Sequence, residues 1–163
     1  MNIGEICSRE VYVARASEPL AQAAREMCRR NVGTVVVVER QGELVRPIGI
    51  VTDRDIVRAL VERGARIDEL EIGNVMTWSP LALREDSDIG EAIEFLSEST
   101  IRRAPVISDT GDLVGIVSID DLLPIISEEL GALTRLIERQ TRHRPKTEGL
   151  AHPRRLSPAR HDS

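Results

Sequence analysis

The sequence predicts a mixed α/β (α+β) fold in which two βαββα repeats pack together as one module, followed by a long C-terminal helix and a tail. Two observations carry this prediction. The segment GIVTDRDI at residues 49–56 returns as GIVSIDDL at residues 115–122, which indicates an internal duplication. The chain has 163 residues, 41% of them hydrophobic, and because half a chain of this size buries little surface, packing two halves together is the economical solution.

The duplication covers most of the chain. Before the GIV segments, equivalent positions lie 69 residues apart, as Cys7 and Met76 do, whereas the two GIV segments lie 66 residues apart. The first repeat therefore holds three additional residues, which we expect in a loop at 40–47, where insertions cost little entropy. The predicted divisions are the first repeat at 1–68, the second repeat at 69–126, a helical extension at 127–142 and a basic disordered tail at 143–163.

The first repeat is predicted as strand, helix, strand, strand, helix. Residues 11–14 form a short strand, and residues 20–27 place apolar side chains at the i, i+3, i+4, i+7 spacing of an amphipathic helix. The β-branched runs at 35–38 and 48–51 predict a hairpin. A second helix follows over 56–64, where a glycine ends it.

The second repeat is predicted to have the same elements at 81–83, 89–96, 105–107 and 113–117, followed by a final helix from Ile119 toward Arg139. Pro124 lacks an amide hydrogen, so it should kink this helix or mark a restart near its first turn. One face of the helix carries apolar residues at steps of four, four, three and four: Leu122, Ile126, Leu130, Leu133 and Ile137. This stripe is longer than one small core can cover, which favours a partner helix in a dimer over packing back on its own domain.

Composition excludes several classes of function. Aromatic residues make up only 2% of the chain, so stacking platforms for single-stranded nucleic acid are missing. The apolar runs are far shorter than the roughly 18 residues of a membrane span, and the N-terminus lacks the pattern of a secretory leader. We therefore expect a cytoplasmic protein without membrane contact. Cys7 and Cys28 are expected to be reduced, partly buried thiols, with a redox pair as the alternative.

Charge is divided unevenly along the chain. The segment from residue 140 onward has six basic and two acidic residues, a formal charge of +4; with −5 overall, the remainder carries −9. Because an acidic body should repel nucleic acid and no reading helix is apparent, nucleic-acid binding is not the favoured function. The alternative is a structural or interaction module whose basic tail contacts nucleic acid or an acidic partner, without nucleotide sensing.

The repeated motif places a hydroxyl residue and an acid three positions apart at the start of a helix: Thr52 with Asp55, and Ser118 with Asp121. The purely structural interpretation is a capping box, in which both side chains accept backbone N–H groups of the first turn. The functional interpretation uses the same geometry, because a helix N-terminus attracts phosphate and a carboxylate can accept hydrogen bonds from two ribose hydroxyls. A nucleotide offers both groups, and one carboxylate has lone pairs enough for both roles.

Several motifs in order carry a family resemblance. They are the paired βαββα pattern, MTWSPLAL at 76–83, RRAPVI at 102–107 and the two GIV(T/S)xxD endings. Together they resemble a tandem pair of CBS domains, a Bateman module, over about residues 5–140. The resemblance implies a pseudo-twofold module whose central cleft binds a regulatory ligand such as AMP, ADP, ATP, NAD or S-adenosylmethionine, without an obligatory cofactor. It also implies a homodimer, and because no catalytic or transport domain is attached, we expect an effector protein in trans.

The resemblance assigns roles to residues of both repeats. Ribose hydroxyls would be held by Asp55 and Asp121. Phosphate would be met by hydroxyl and basic side chains: Thr52, Ser118, Arg54, Arg102 and Arg103. The base would be walled by residues near the first strands and hairpins: Val11, Thr34, Val35, Pro80, Ala104 and Pro105. The first repeat departs from the family pattern by having Cys7-Ser8-Arg9 in place of the usual Met-Thr element, so the two sites should differ in affinity or in ligand.

A catalytic role is the competing interpretation. Asp53 with Asp55, or Asp120 with Asp121, could be an acid and base or a metal pair, but one acid of each pair is used by the cap or ribose role. No nucleophile with a nearby base is visible. The three histidines lie nine residues apart in the tail, a spacing that suits no compact metal site there: His143, His152 and His161. We therefore predict no enzyme activity and no metal site.

Overall fold

The computed structural model describes residues 1–62, 64, 66–78, 81–99 and 101–142. Residues Met1–Ile126 form one compact unit, and the described residues from Ser127 to Arg142 belong to a second. The elements in chain order are α1 (Ile3–Ile6), β1 (Val13–Ala14), α2 (Leu20–Arg30), β2 (Thr34–Gln41), β3 (Leu44–Thr52), α3 (Asp53–Glu62), β4 (Thr77–Trp78), β5 (Leu83–Arg84), α4 (Ile89–Glu98), β6 (Arg103–Ile107), β7 (Leu113–Ser118) and α5 (Ile119–Arg142). Two 3₁₀ turns, Ile67–Glu69 and Ile72–Asn74, lie between α3 and β4. The predicted tail at 143–163 lies outside the described residues.

Both repeats have the predicted mixed α/β architecture. The first sheet has the strand order β1-β2-β3-β4 and the second has the order β5-β6-β7. In each sheet the short first strand runs parallel to the next one, which forms an antiparallel hairpin with its successor. A helix follows the last hairpin strand without a break in both copies, α3 after β3 and α5 after β7. The predicted fold class is confirmed.

Each hydrophobic core is completed by a segment that precedes the other repeat along the chain. Ile3 and Cys7 pack with the core of the second sheet, whereas Ile72 and Met76 pack with the core of the first. Backbone pairing shows the same exchange. Ser8 forms an antiparallel β-bridge with Ile116 in β7, and β4 pairs with β3. The two segments occupy equivalent positions in the two sheets, so the exchange is reciprocal.

Two glycines permit this exchange. A Cβ atom at Gly115 in β7 would lie 2.6 Å from the backbone oxygen of Ser8 and 2.7 Å from Sγ of Cys7. At the equivalent Gly49 in β3, a Cβ atom would lie 2.7 Å from Sδ of Met76. The bare backbone at these positions lets the exchanged segment approach the strand closely.

The hairpins and short strands differ from the sequence prediction in their bounds. β1 begins at Val13 rather than at residue 11, and β5 is Leu83–Arg84 rather than 81–83. The predicted loop at 40–47 is mostly strand, because β2 continues to Gln41 and β3 resumes at Leu44. The extra residues of the first repeat therefore lengthen its hairpin. A turn through Gly42, whose φ is +67°, closes that hairpin.

The final helix continues beyond Arg139 to the end of the predicted extension, and it does not restart at Pro124. It extends over 24 residues, Ile119–Arg142, with Pro124 inside it. The start of the apolar stripe packs on its own domain, since Leu122 is buried and Ile126 is packed against the second core. The remainder is exposed: Leu130, Leu133 and Ile137 are more than half accessible.

The two cysteines have different environments, so the expectation of two partly buried thiols is only half right. Both are free, with Cys7 buried and Cys28 exposed. Burial raises the pKa of the Cys7 thiol above its ordinary value, although the nearby Arg9 acts in the opposite direction. Cys7 is thus a packing residue of the exchanged segment.

Candidate functional site

The two repeated motifs lie at equivalent junctions, where β3 enters α3 and where β7 enters α5. In the first, the backbone N–H and the hydroxyl of Thr52 donate to Oδ2 of Asp55, at 2.9 and 2.7 Å. In the second, the same groups of Ser118 donate to Oδ2 of Asp121, both at 2.7 Å. Each acid in turn donates its backbone N–H to the hydroxyl, at 3.2 Å in the first motif and 3.3 Å in the second.

These contacts show that the capping arrangement exists in both copies. Among the described residues they use a single carboxylate oxygen, Oδ2, so within this part of the chain the other oxygen of Asp55 and of Asp121 is available to a ligand. Capping and ligand binding are therefore compatible roles for the same side chain.

The start of each hairpin lies beside the motif at its end. Thr34 pairs with Thr52, and Arg103 pairs with Ser118. The first amide of each helix donates across to the residue before the hairpin, from Asp53 to the oxygen of Gly33 at 3.1 Å and from Ile119 to that of Arg102 at 3.0 Å. The two sites thus share one backbone scaffold but present different side chains.

A cavity of about 660 Å³ opens at the first motif, a volume in the range of small-molecule sites. Residues of both repeats line it: Gly33, Thr34, Ile50, Thr52, Asp53, Arg54, Asp55, Thr77, Leu81, Ser99, Ile101, Arg102, Arg103, Pro105 and Asp120. The hydroxyl and acid of the first repeat therefore share a cavity with arginines that come from the second.

The structure brings seven of the predicted site residues together in this cavity: Thr34, Thr52, Arg54, Asp55, Arg102, Arg103 and Pro105. Ser118 and Asp121 keep the motif geometry but do not line it, and Val11 does not line it either. Val35 and Ala104 are fully buried in the two cores, which leaves their backbone for any ligand contact. Pro80 lies outside the described residues. The ligand roles of all these residues stay predictions.

Several lining residues were not predicted from the sequence. Thr77 reaches the cavity because β4 pairs with β3 beside the motif, and it is the counterpart of Ser8 at the 69-residue offset. Leu81 and Ile101 contribute apolar surface from the second repeat. The 69-residue offset could have identified Thr77 in the sequence as the equivalent of Ser8. It could not have shown that the second repeat packs beside the first motif.

The family of the chain is identified from its sequence. A family model described as CBS domain matches residues 3–62 and again residues 72–128. The chain belongs to the CBS domain family. The two matches are the two βαββα copies, so the resemblance to a tandem CBS pair is confirmed.

Relatives of this CBS pair include proteins of no stated function. An uncharacterized protein of Methanopyrus kandleri is 33% identical over 77% of this chain, and the match spans 62% of that protein's length. An uncharacterized 17.7 kDa protein of Acidianus ambivalens is 36% identical over 74% of this chain and 70% of its own length. A match to inosine-5'-monophosphate dehydrogenase of Thermoplasma acidophilum, 31% identical, covers only 22% of that enzyme.

Solved CBS pairs have the same architecture. A CBS domain protein of Pyrobaculum aerophilum, solved in complex with AMP, superposes with a TM-score of 0.67. It is 26% identical, and the match covers 74% of this chain and 89% of that one.

Two structural features are absent from the described residues. None of the helices there is long and apolar enough to span a membrane. No group of three or more His, Cys, Asp or Glu side chains in the same ranges is placed to hold a metal ion.

Proposed function

We propose that this CBS pair is a regulatory module that binds an adenosine-containing nucleotide in the cleft between its two repeats and signals binding to a partner protein. The observation that carries the proposal is the cavity at the first motif, where Thr52 and Asp55 face arginines of the second repeat. The AMP complex of the P. aerophilum protein supports it, because that CBS protein is similar over nearly all of its length. A cytoplasmic location, an effector acting in trans and the lack of catalysis stay predictions.

The cavity has a partner for each part of a nucleotide. Oδ1 of Asp55, which accepts no hydrogen bond from the described residues, could accept from ribose hydroxyls while Oδ2 keeps the helix start in place. Phosphate would meet the N-terminus of α3 and the guanidinium groups of Arg54 and Arg103. Apolar surface for a base comes from Ile50, Leu81, Ile101 and Pro105.

A regulatory output requires that the ligand distinguish two states of the module. A ligand in this cavity would touch both repeats at once, so its affinity depends on how they are arranged. A state in which the repeats separate would lose the contacts of Arg102 and Arg103 but keep the first motif and Arg54.

The proposal is tested with a panel of AMP, ADP, ATP, NAD and S-adenosylmethionine, with guanosine as the control nucleoside. We expect at least one adenosine compound to raise the unfolding temperature and to bind in calorimetry. At about one hundred times the dissociation constant, one site adds roughly 2.7 kcal/mol to the free energy of unfolding. If no adenosine compound stabilises the protein, the nucleotide-sensing function is refuted and the interaction-module alternative takes its place.

We also propose that the module is a homodimer that pairs through the exposed part of α5. Leu130, Leu133 and Ile137 are spaced by three and four residues, the repeat of a helix–helix seam. All three are more than half exposed, and such a stripe is typically covered by a partner.

Replacing Leu130 and Leu133 together by glutamate should convert the dimer to a monomer, because charged side chains cannot be buried unpaired in an apolar seam. Light scattering after size exclusion measures the mass directly. Arg135→Glu is the control, since it changes the net charge by the same amount on the face of α5 opposite the stripe. A wild-type monomer at tens of micromolar would contradict the proposed dimer.

A further inference from the structure

The helices that precede the two hairpins carry opposite charges. α2 contains three arginines and one glutamate, whereas its counterpart α4 contains three glutamates and no basic residue. At the 69-residue offset Arg25 corresponds to Glu94, and Arg29 corresponds to Glu98. The two repeats therefore share one fold but present equivalent helix surfaces of opposite sign.

Exposed apolar residues lie on the same pair of helices in each repeat. Ile93 precedes Glu94 on α4 and is 42% exposed. In the first repeat α3, which contacts α2, presents Val57 and Val61, both more than half accessible. Leu123 on α5 is the counterpart of Val57 at the 66-residue offset and is also more than half accessible. Apolar surface accompanied by charged residues is typical of a face that a partner covers.

The opposite charges at the centres of α2 and α4 are not matched within the chain. Arg25 and Glu94 are both exposed, and none of the ion pairs among the described residues includes either of them. They lie near the middle of helices of 11 and 10 residues. Short helices that pack across one another make their closest contacts at their middles, whether they run parallel or antiparallel. Arg25 and Glu94 are thus placed to meet if α2 packs across an α4.

We propose that two copies of this chain pair about a twofold axis with unlike repeats in contact. In this crossed dimer α2 of each copy packs across α4 of the other. The inference rests on the homodimer proposed above and adds the direction in which the two copies meet. Because a twofold contact is reciprocal, Arg25 meets Glu94 twice in one dimer.

Charge also disfavours the alternative dimer, in which like repeats are in contact. That arrangement would place Arg25 against Arg25 at one contact and Glu94 against Glu94 at the other. Like charges across an interface oppose the wrong partner or orientation, while opposite charges fix the register of the right one. The reversed signs of α2 and α4 therefore favour the crossed dimer twice, by attraction in it and by repulsion in its competitor.

Charge reversal tests the crossed dimer, with the dimer dissociation constant of the full chain measured by sedimentation equilibrium at low salt. Arg25→Glu and Glu94→Arg should each weaken the dimer about thirtyfold, because each change replaces two attractions by two repulsions. The two changes alter net charge in opposite directions, so a general charge effect cannot weaken both. Both changes on one chain should restore the constant to within about threefold of wild type, since the pair is then reversed rather than removed.

Arg40→Glu is the matched control for Arg25→Glu. It makes the same change of charge at an exposed arginine of β2, outside the four helices concerned. We expect it to change the dissociation constant less than about twofold, as is usual for an exposed charge without a partner.

Mixing distinguishes the crossed dimer from one that pairs like repeats. The doubly reversed chain should pair with itself but not with wild type, because a mixed crossed dimer brings two positive helices together at one contact and two negative helices at the other. In a dimer of like repeats the mixed pair would instead be preferred, since each helix would meet its opposite. Native mass spectrometry with one chain labelled with ¹⁵N measures the mixed fraction.

The outcomes separate this inference from the proposed homodimer. Unchanged dissociation constants in both single variants, a double variant as weak as the single ones, or preferred mixing with wild type would each overturn the crossed dimer while leaving the homodimer in place. A monomeric wild type would refute both. Equal weakening by Arg40→Glu and Arg25→Glu would remove the special role of Arg25 and also overturn the inference.

Discussion

Replacing Gly115 by alanine is expected to lower the free energy of unfolding of the CBS pair by about 3 kcal/mol, the upper end of the usual cost of overpacking. The new Cβ atom would lie 2.6 Å from the backbone oxygen of Ser8. That oxygen has little freedom to move, because Ser8 exchanges two backbone hydrogen bonds with Ile116, both 2.9 Å long. Urea unfolding followed by circular dichroism measures the loss.

Two other glycines serve as controls for Gly115→Ala. Gly49→Ala should cost less, about 1 kcal/mol, because its nearest contact is the flexible thioether of Met76 and the closest backbone atom, the oxygen of Thr77, is 3.0 Å away rather than 2.6 Å. Gly131→Ala in α5 should raise stability by about 0.5–1 kcal/mol, since a Cβ there meets only the side chain of Arg135 and helix interiors disfavour glycine. A Gly115→Ala variant as stable as the wild type would show that the exchanged N-terminal segment is not held as the structure has it.

Replacing Asp55 by alanine is expected to weaken nucleotide binding roughly a hundredfold, because it removes the charged acceptor that we propose for two ribose hydroxyls. The same change breaks the cap, since the amide and hydroxyl of Thr52 lose their acceptor. Loss of a cap costs about 1 kcal/mol of stability. Calorimetry at a temperature well below unfolding measures binding apart from stability.

Asp121→Ala is the control that separates the two roles of the acid. Its contacts with Ser118 match those of the first motif to within 0.2 Å, so the stability cost should be the same. It does not line the cavity, so its effect on affinity should stay within a few fold. Equal losses of affinity in both variants would mean that binding depends on helix starts in general. A larger loss in Asp121→Ala would move the ligand to the second motif.

The sequence was sufficient for the features that recur within each repeat. The repeated GIV(T/S)xxD endings predicted both strand-to-helix junctions, because a hydroxyl residue and an acid at this spacing satisfy the first turn locally. The amphipathic helices followed from apolar spacing alone. These features depend on residues that are neighbours along the chain.

Features that depend on contacts between the repeats could not be predicted. Nothing local in Ile3 or Cys7 shows that they complete the second core, since the same apolar residues would fit either sheet. The extra residues of the first hairpin were expected in a loop because length changes usually occur there, but β2 and β3 continue to pair through them. The cavity likewise joins Asp55 to Arg103 across the repeats, a proximity that only the packing of the two sheets creates.

The hairpin that lengthens the first repeat also reaches the second one. The backbone N–H of Val45 in β3 donates to Oδ1 of Asp112, at the turn before β7, at 2.7 Å. This hydrogen bond lies toward the hairpin tips, whereas Thr52 and Ser118 lie at the opposite ends of the same strands. The two repeats are thus tied at one end by a direct hydrogen bond and face a shared cavity at the other.

The reciprocal exchange of segments means that the unit copied by duplication is not the unit that folds. A chain cut between the repeats would separate Ile3 and Cys7 from the sheet they complete, and would leave Ile72 and Met76 attached to the wrong half. Each half would then lack the apolar segment that completes its own core, and would carry the exposed apolar segment that completes the core of the other half. A substitution in either segment therefore changes the stability of the opposite sheet, so the two copies are stabilised together.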